Sequence, residues 1–138
     1  MAYITNKENT KFKVTTVIRK FLMNNDTLKL LVGNRIYPIV TIEQAGEGDF
    51  IVYQRESYSQ MKTKQGIYDQ QVSIFISCVS SDYDTSQELA EQVYLCLQDI
   101  YNYIDEETGI IINHIDLEDS TEDYAGGRYI QVLKFRVE

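Results

Sequence analysis

The stretch Asp84–Ile104, DTSQELAEQVYLCLQDIYNYI, constrains the fold more than any other. Leu89, Val93, Cys96, Leu97, Ile100 and Ile104 recur every three or four residues, so they share one face of a helix. At 1.5 Å per residue this helix would run about 30 Å, the width of a small domain. Thr85 and Glu88 stand at capping-box spacing, which predicts reciprocal side-chain bonds at the helix start. The acidic run Asp105-Glu106-Glu107 disfavours a helix C-terminus, so the helix is expected to stop near Tyr103 or Ile104. A helix with a single apolar face needs a surface to cover, and the segments on either side of it read as strands.

Ahead of it, Thr10–Asn24 carries Val14, Val17, Ile18, Phe21 and Leu22 at helical spacing. Asn24-Asn25-Asp26 breaks that helix, and Asp26 is placed to cap a short turn, Thr27–Leu31, ending at Gly33-Asn34. Pro38 pushes Tyr37 out of helical geometry, which predicts an extended Arg35–Pro38. Ala45–Asp49 reads as a loop. Phe50–Arg55 is rich in β-branched and aromatic residues and reads as a strand that can extend to Tyr58. In Gln70–Val79, Val72, Ile74, Ile76 and Cys78 alternate with Ser73, Phe75, Ser77 and Val79, the period of a second strand. The two are expected to form an antiparallel hairpin around a turn-like tip, Ser59–Gly66, longer than a tight hairpin needs. After the long helix, Ile110–Leu117 predicts a third strand, Asp119–Gly127 a turn with positive φ at Gly126-Gly127, and Arg128–Val137 a fourth strand. In that strand Tyr129, Leu133, Phe135 and Val137 share one parity.

The expected architecture is α+β: a mainly antiparallel four-stranded sheet with two helices packed on one face. Its 138 residues suit a single domain over 1–138, with residues 1–9 polar and loose. An apolar content of 43% supports a packed core. No apolar run approaches the ~20 residues of a membrane span, and the first residues lack the apolar segment of a secretory signal. Cys78 and Cys96 read as free buried thiols, which suits a reducing cytosol.

The net charge of -8 disfavours a general affinity for nucleic acid. Charge is unevenly placed. Residues 1–35 hold seven Lys/Arg and two acidic residues, net +5, and residues 36–138 hold six and nineteen, net -13. Such a split fits either two solvated faces or contact between the basic part of one copy and the acidic part of another.

Catalytic constellations are missing. His114, the sole histidine, sits among isoleucines with no paired Cys or second His for a metal site. No serine stands in a G-x-S-x-G elbow, and no glycine loop cradles a phosphate. Asp116, Glu118, Asp119, Glu122 and Asp123 form the densest acidic cluster, yet they lack the order of a calcium loop. Neither a cofactor nor a metal is implied, though an enzyme holding a divalent ion at this cluster is an alternative class. Eleven tyrosines, Tyr53, Tyr58, Tyr68, Tyr94, Tyr101, Tyr103 and Tyr129 among them, fit a protein interface and half-buried sheet edges equally well.

Leu30-Leu31-Val32-Gly33-Asn34-Arg35-Ile36-Tyr37-Pro38 ahead of Phe50-Ile51-Val52-Tyr53-Gln54, then Gln71–Cys78, a helix with Ala90, and a close on Arg128-Tyr129 and Phe135-Arg136-Val137 form an ordered set. In order and spacing it resembles the small tail-completion, or tail-terminator, proteins of long-tailed bacteriophages and prophages, over residues 14–138. Where that family often has a proline, before Phe50, this chain has Gly48-Asp49.

The resemblance implies a non-catalytic subunit of a ring, usually of six, at the head-proximal end of the tail. The ring would stop tail-tube polymerisation and join the tail to a head connector or stopper protein. Its partners would be copies of itself, the tail-tube protein and the connector, with DNA only passing through the lumen and no membrane. Its place would be the virion tail, after assembly in the bacterial host cytoplasm. Alternatives are another head–tail connector or tail-tube component, or a non-viral α+β domain binding a small ligand between its tyrosines. Candidate subunit contacts are Lys11, Lys13, Lys20, Arg35, Tyr58, Lys62, Lys64, Asp116, Glu118 and Asp119. If basic and acidic regions of neighbouring copies meet, replacing Lys11, Lys13 and Lys20 by Glu weakens self-association in light scattering; unchanged association would remove that idea.

Overall fold

A computed structural model describes residues 10–138; the expectation for residues 1–9 lies outside them. The elements run α1 (Val14–Met23), α2 (Asp26–Val32), β1 (Ile36–Pro38), α3 (Ile42–Ala45), β2 (Phe50–Thr63), β3 (Gly66–Ser80), α4 (Tyr83–Gln98), β4 (Tyr101–Ile104), β5 (Ile111–Ala125) and β6 (Arg128–Val137). The architecture is α+β as expected, but among the described residues the sheet has six strands, not four, in the order β1-β2-β3-β6-β5-β4, and three helices rather than two, α1, α2 and α4, pack on it. All neighbours are antiparallel except β1 and β2.

The core lies between this sheet and its helices. Val72, Ile74, Ile76 and Cys78 of β3, and Leu133, Phe135 and Val137 of β6, point to the helical side and are buried, as their alternation predicts. Against them pack Val14, Val17, Ile18 and Leu22 of α1, Leu28 and Val32 of α2, and Leu89, Val93 and Leu97 of α4. Cys78 and Cys96 are free thiols; Cys78 is buried as expected, while Cys96 is only half-buried. Burial pushes the Cys78 thiol up to about 12, which keeps it protonated and inert.

Helix ends differ from the sequence reading. Helix α4 starts at Tyr83, with Asp82 as its cap, accepting from Thr85 N (2.9 Å) and Thr85 Oγ1 (2.8 Å). Thr85 therefore lies inside the helix, and the expected Thr85/Glu88 capping box is not made. The reciprocal box occurs instead at α3, between Thr41 and Gln44 (3.1 and 2.9 Å). Asn25, one residue before the expected Asp26, caps α2 by accepting from Leu28 N at 3.0 Å. Helix α4 also ends early, at Gln98, with Asp99 as its C-cap. The segment expected to continue it forms β4 on the margin of β5. There the strand partner outweighs a helix end that carries no basic residue in its last turn. Ile104 thus leaves the predicted apolar face and is exposed.

Two segments read as turns are strands. Ser59–Thr63 and Gly66–Asp69 continue β2 and β3 as a two-stranded ribbon that turns at Lys64-Gln65. Strand β5 runs through the acidic stretch to Ala125. The turn is only Gly126-Gly127, both at positive φ (62° and 74°), the geometry a two-residue hairpin demands. Ser59–Thr63 and Asp119–Ala125 have no buried side, so neither shows the apolar alternation that betrays β3 and β6.

The third consequence of the topology is local. Arg35 donates through Nε to Asp49 O (3.1 Å) and through Nη2 to Ala45 O (3.1 Å) and Glu47 O. Arg128 donates to Gly48 O at 3.1 Å. Both guanidinium groups stand over the Phe50 ring, 6.0 and 5.6 Å from its centroid, so the 39–49 segment is clamped on the end of β2. Phe135 is buried near the C-terminal end of β6. Its replacement by Ala is expected to cost about 3–5 kcal/mol in chemical denaturation; a cost below about 1 kcal/mol would place the core elsewhere.

Candidate functional site

The ten residues singled out as contacts fall into three groups. Lys11 is buried; its amide donates to Tyr58 Oη at 3.0 Å, and burial pulls its ammonium below its ordinary pKa, against the opposing pull of Glu138 and Asp69. Tyr58 is a hub: it accepts from Gln60 Nε2 (2.7 Å), donates to Gln70 Oε1, and meets Phe12 edge-to-face at 4.9 Å. Lys20 reaches Asp105 (3.2 Å) and Glu107 (3.1 Å), and the bond to Glu107 chiefly raises its pKa. Arg35 is occupied by the 39–49 clamp. These four are engaged within the chain.

Lys13, Lys62 and Lys64 are exposed, the last two at the ribbon tip. Asp116, Glu118 and Asp119 lie together on β5, where the register slips between Leu117 and Asp119. Cross-strand partners share a face, so Asp116 lies beside Arg136, and Asp119 beside Lys134. Arg136 contacts Asp116 Oδ2 and Glu118 Oε2, each at 3.7 Å, and Glu138 Oε2 at 3.6 Å.

His114 joins this group. Its Nδ1 lies 2.8 Å from Asp116 Oδ2 and its Nε2 3.1 Å from Glu138 Oε2. One ligand atom each from His114, Asp116 and Glu138 would fall within 4.8 Å of one another, which could hold a metal ion. Arg136 already supplies a cation to the same carboxylates and offsets part of their charge from within the chain.

Other polar groups fix the frame. Asp105 is buried and accepts from Thr108 Oγ1 (2.6 Å), Thr108 N (3.0 Å) and Lys20 Nζ (3.2 Å). The Thr108 hydroxyl is the main reason its carboxyl sits below the usual carboxylate range. Glu122, read only as part of an acidic run, accepts from Gln131 Nε2 and Tyr83 Oη, both at 2.7 Å, and so ties β5 to the start of α4. The Gln131 bond chiefly depresses the Glu122 pKa, and the bond to Glu122 chiefly raises that of Tyr83.

Sequence reasoning missed the grooves along the two flanks of the sheet. One lies beside β2, lined by Phe12, Arg55, Glu56, Tyr58, Gln60 and Lys62. The other lies beside β5, lined by Tyr94, Gln98, Tyr101, Ile115, Asp116 and Leu117. Both follow strand edges and bring together residues distant in the chain, which no local pattern signals. No described helix is long and apolar enough to cross a membrane.

No family profile and no curated protein matches this sequence. Among solved structures, it is similar to a chain of the virion of a native gene transfer agent particle, with a TM-score of 0.70 and 17% identity, over 87% of this chain and 89% of that one. The likeness spans nearly the whole of both chains and shows a shared fold.

Because the Asp105 carboxyl is held below its unfolded range, its contribution is present above the unfolded pKa and is lost as pH falls through the folded one. The melting temperature is therefore expected to drop on acidification below about pH 4, and Asp105→Asn to lower it at neutral pH while flattening that acid limb. A parallel acid limb in the variant would show that Asp105 is not its source.

Proposed function

We propose that this protein is a structural subunit of a phage-type virion, forming a ring at the head-proximal end of a tail. There the ring ends tail-tube polymerisation and offers a docking surface to the head connector. The observation that carries this reading is the near-complete likeness in fold to a chain of a gene transfer agent virion. The ordered motifs of the tail-terminator resemblance, Leu30–Pro38 through Phe135-Arg136-Val137, support the narrower reading of the tail end.

The chemistry of the surface agrees. The His114–Arg136 cluster and the Asp105 turn are internally paired, a pattern that stiffens a subunit and asks nothing of a substrate. The grooves run along strand edges, where a neighbouring chain fits better than a small metabolite. A net charge of -8 allows DNA to slide through a lumen without adhering. Another connector component is the nearest competing role, because it would share the ring and the absence of chemistry.

Native mass by light scattering, over a range of protein and salt concentrations, tests the ring. A closed assembly of about six copies is expected, loosened by salt as charged contacts are screened. Added to a polymerising tail-tube protein, the ring should cap tubes at one end and fix their length. Open-ended tubes of this chain alone would make it a tube component, and a salt-indifferent dimer would remove the virion-ring reading.

A further inference from the structure

Both flanks of the sheet end in a long strand that its neighbour covers only in part. Strand β1 pairs with β2 at Ile51–Tyr53 alone, which leaves Gln54–Thr63 without an outer partner among the described residues. Strand β4 pairs with β5 at Ile111, Ile112 and His114, which leaves Ile115–Ala125 likewise open. Open edges of this length are templates for another strand, and soluble chains usually blunt or cover them.

The two edges match each other. Strand β2 is antiparallel to β3, β3 to β6, and β6 to β5, so β2 and β5 run in opposite directions. A second copy set beside the first in the same orientation, and shifted along the strands because Gln54 is level with Asp119 across the sheet, places its open β2 segment antiparallel to the open segment of the first copy's β5. The ladder then continues without a change of hand or direction. Charge selects that pairing. The β2 edge and its tip carry Arg55, Lys62 and Lys64, while Glu56 is held by Lys134 at 3.2 Å. The β5 edge carries Asp116, Glu118, Asp119 and Asp123, of which Asp116 and Glu118 share Arg136 at 3.7 Å, so the edge stays net acidic. Two β5 edges, or two β2 edges, would oppose like charges; β2 against β5 opposes unlike ones.

Apolar side chains flank both edges. Phe12 (60% exposed), Ile39 (68%) and Met61 (53%) stand beside β2, and Tyr101 (66%) and Leu117 (40%) beside β5. Ile39 is a β-branched residue at φ 32°, a conformation such residues rarely adopt. Its amide is fixed to Tyr53 O at 3.1 Å, so backbone strain is maintained while its side chain faces solvent. An apolar residue held out at such cost is explained by a neighbour that covers it.

We propose that copies of this chain join by strand addition, the Gln54–Thr63 edge of one pairing with the Ile115–Ala125 edge of the next. The contact is head-to-tail and heterologous, so repeating it closes a ring or extends a filament. It rests on the ring reading above only for closure.

Two charge-reversed chains test it: Arg55→Glu with Lys62→Glu on the β2 edge, and Glu118→Lys with Asp119→Lys on the β5 edge, each checked for folding by circular dichroism. Each alone should lose association by about tenfold or more in light scattering, roughly the effect of a few opposed charges. An equimolar mixture should recover it as an alternating assembly, because the reversed edges fit each other and the unreversed edges still match. Independently, zero-length carbodiimide treatment of the unaltered chain should link Lys62 or Lys64 to an acid between Asp116 and Asp123 of another copy, read by mass spectrometry. Assembly that ignores both reversals and gives no such link would overturn the edge pairing and leave the ring standing on other surfaces. A chain that stays monomeric and gives no intermolecular link at any concentration would remove both.

Discussion

The burial of one face of β3 is the constraint on which the rest of this structure depends. Val72, Ile74, Ile76 and Cys78 are fully excluded from water, and three helices are needed to exclude it. At roughly 25 cal/mol per Å² of apolar surface, a row of such side chains dominates any local preference of the surrounding chain. Strand β3 is flanked by β2 and β6, so its register carries over to both. A slip of one residue would turn Ile74 and Ile76 outward and Ser73, Phe75 and Ser77 inward, which fixes where every other strand can pair.

Polar groups finish what that burial begins. The helical layer is pinned at its ends by Asp105, which binds Lys20 of α1 and Thr108, and by Glu122, which binds Tyr83 and Gln131. Asp105 is buried with both carboxylate oxygens accepting, and Glu122, though exposed, takes two hydrogen bonds on one oxygen, so each adds rigidity. Arg35 and Arg128 act similarly on the 39–49 segment, filling its carbonyls and packing on Phe50. What remains free is concentrated on the margins of the sheet: lysines at the ribbon tip, acids along β5, and tyrosines and aliphatic side chains beside them. A subunit whose interior charges are settled and whose edges are left open is suited to building larger objects from copies of itself.

Much of this was legible in residue order where one side of an element is dry. The alternation of Val72–Cys78 and Leu133–Val137, the helical spacing of Val14–Leu22 and Leu89–Leu97, and the positive φ at Gly126-Gly127 all appear as read. Reading failed where both sides are wet. Ser59–Thr63 and Asp119–Ala125 are strands by partnership, and a solvated ribbon has no apolar period to announce it. Tyr101–Ile104 continued a helical spacing in sequence, yet the margin of β5 claimed it. Among the candidate contacts, Lys11 and Lys20 looked like free surface groups because their partners are far away in the chain, and Arg35 and Tyr58 because theirs are brought near only by a loop or a strand pairing. Lys20 and Asp105 are 85 positions apart.

The sequence by itself determined which residues of β3, β6, α1 and Leu89–Leu97 face inward, because burial imposes a period of two on strands and near four on helices. It determined the α+β layering, the helix–sheet packing and the glycine turn for the same reason. Only the tertiary structure decided the strand order, and with it the two open edges, their opposite direction and their opposite charge. Those depend on which distant segments come to lie side by side, and a pairing between strands leaves no mark within either strand alone.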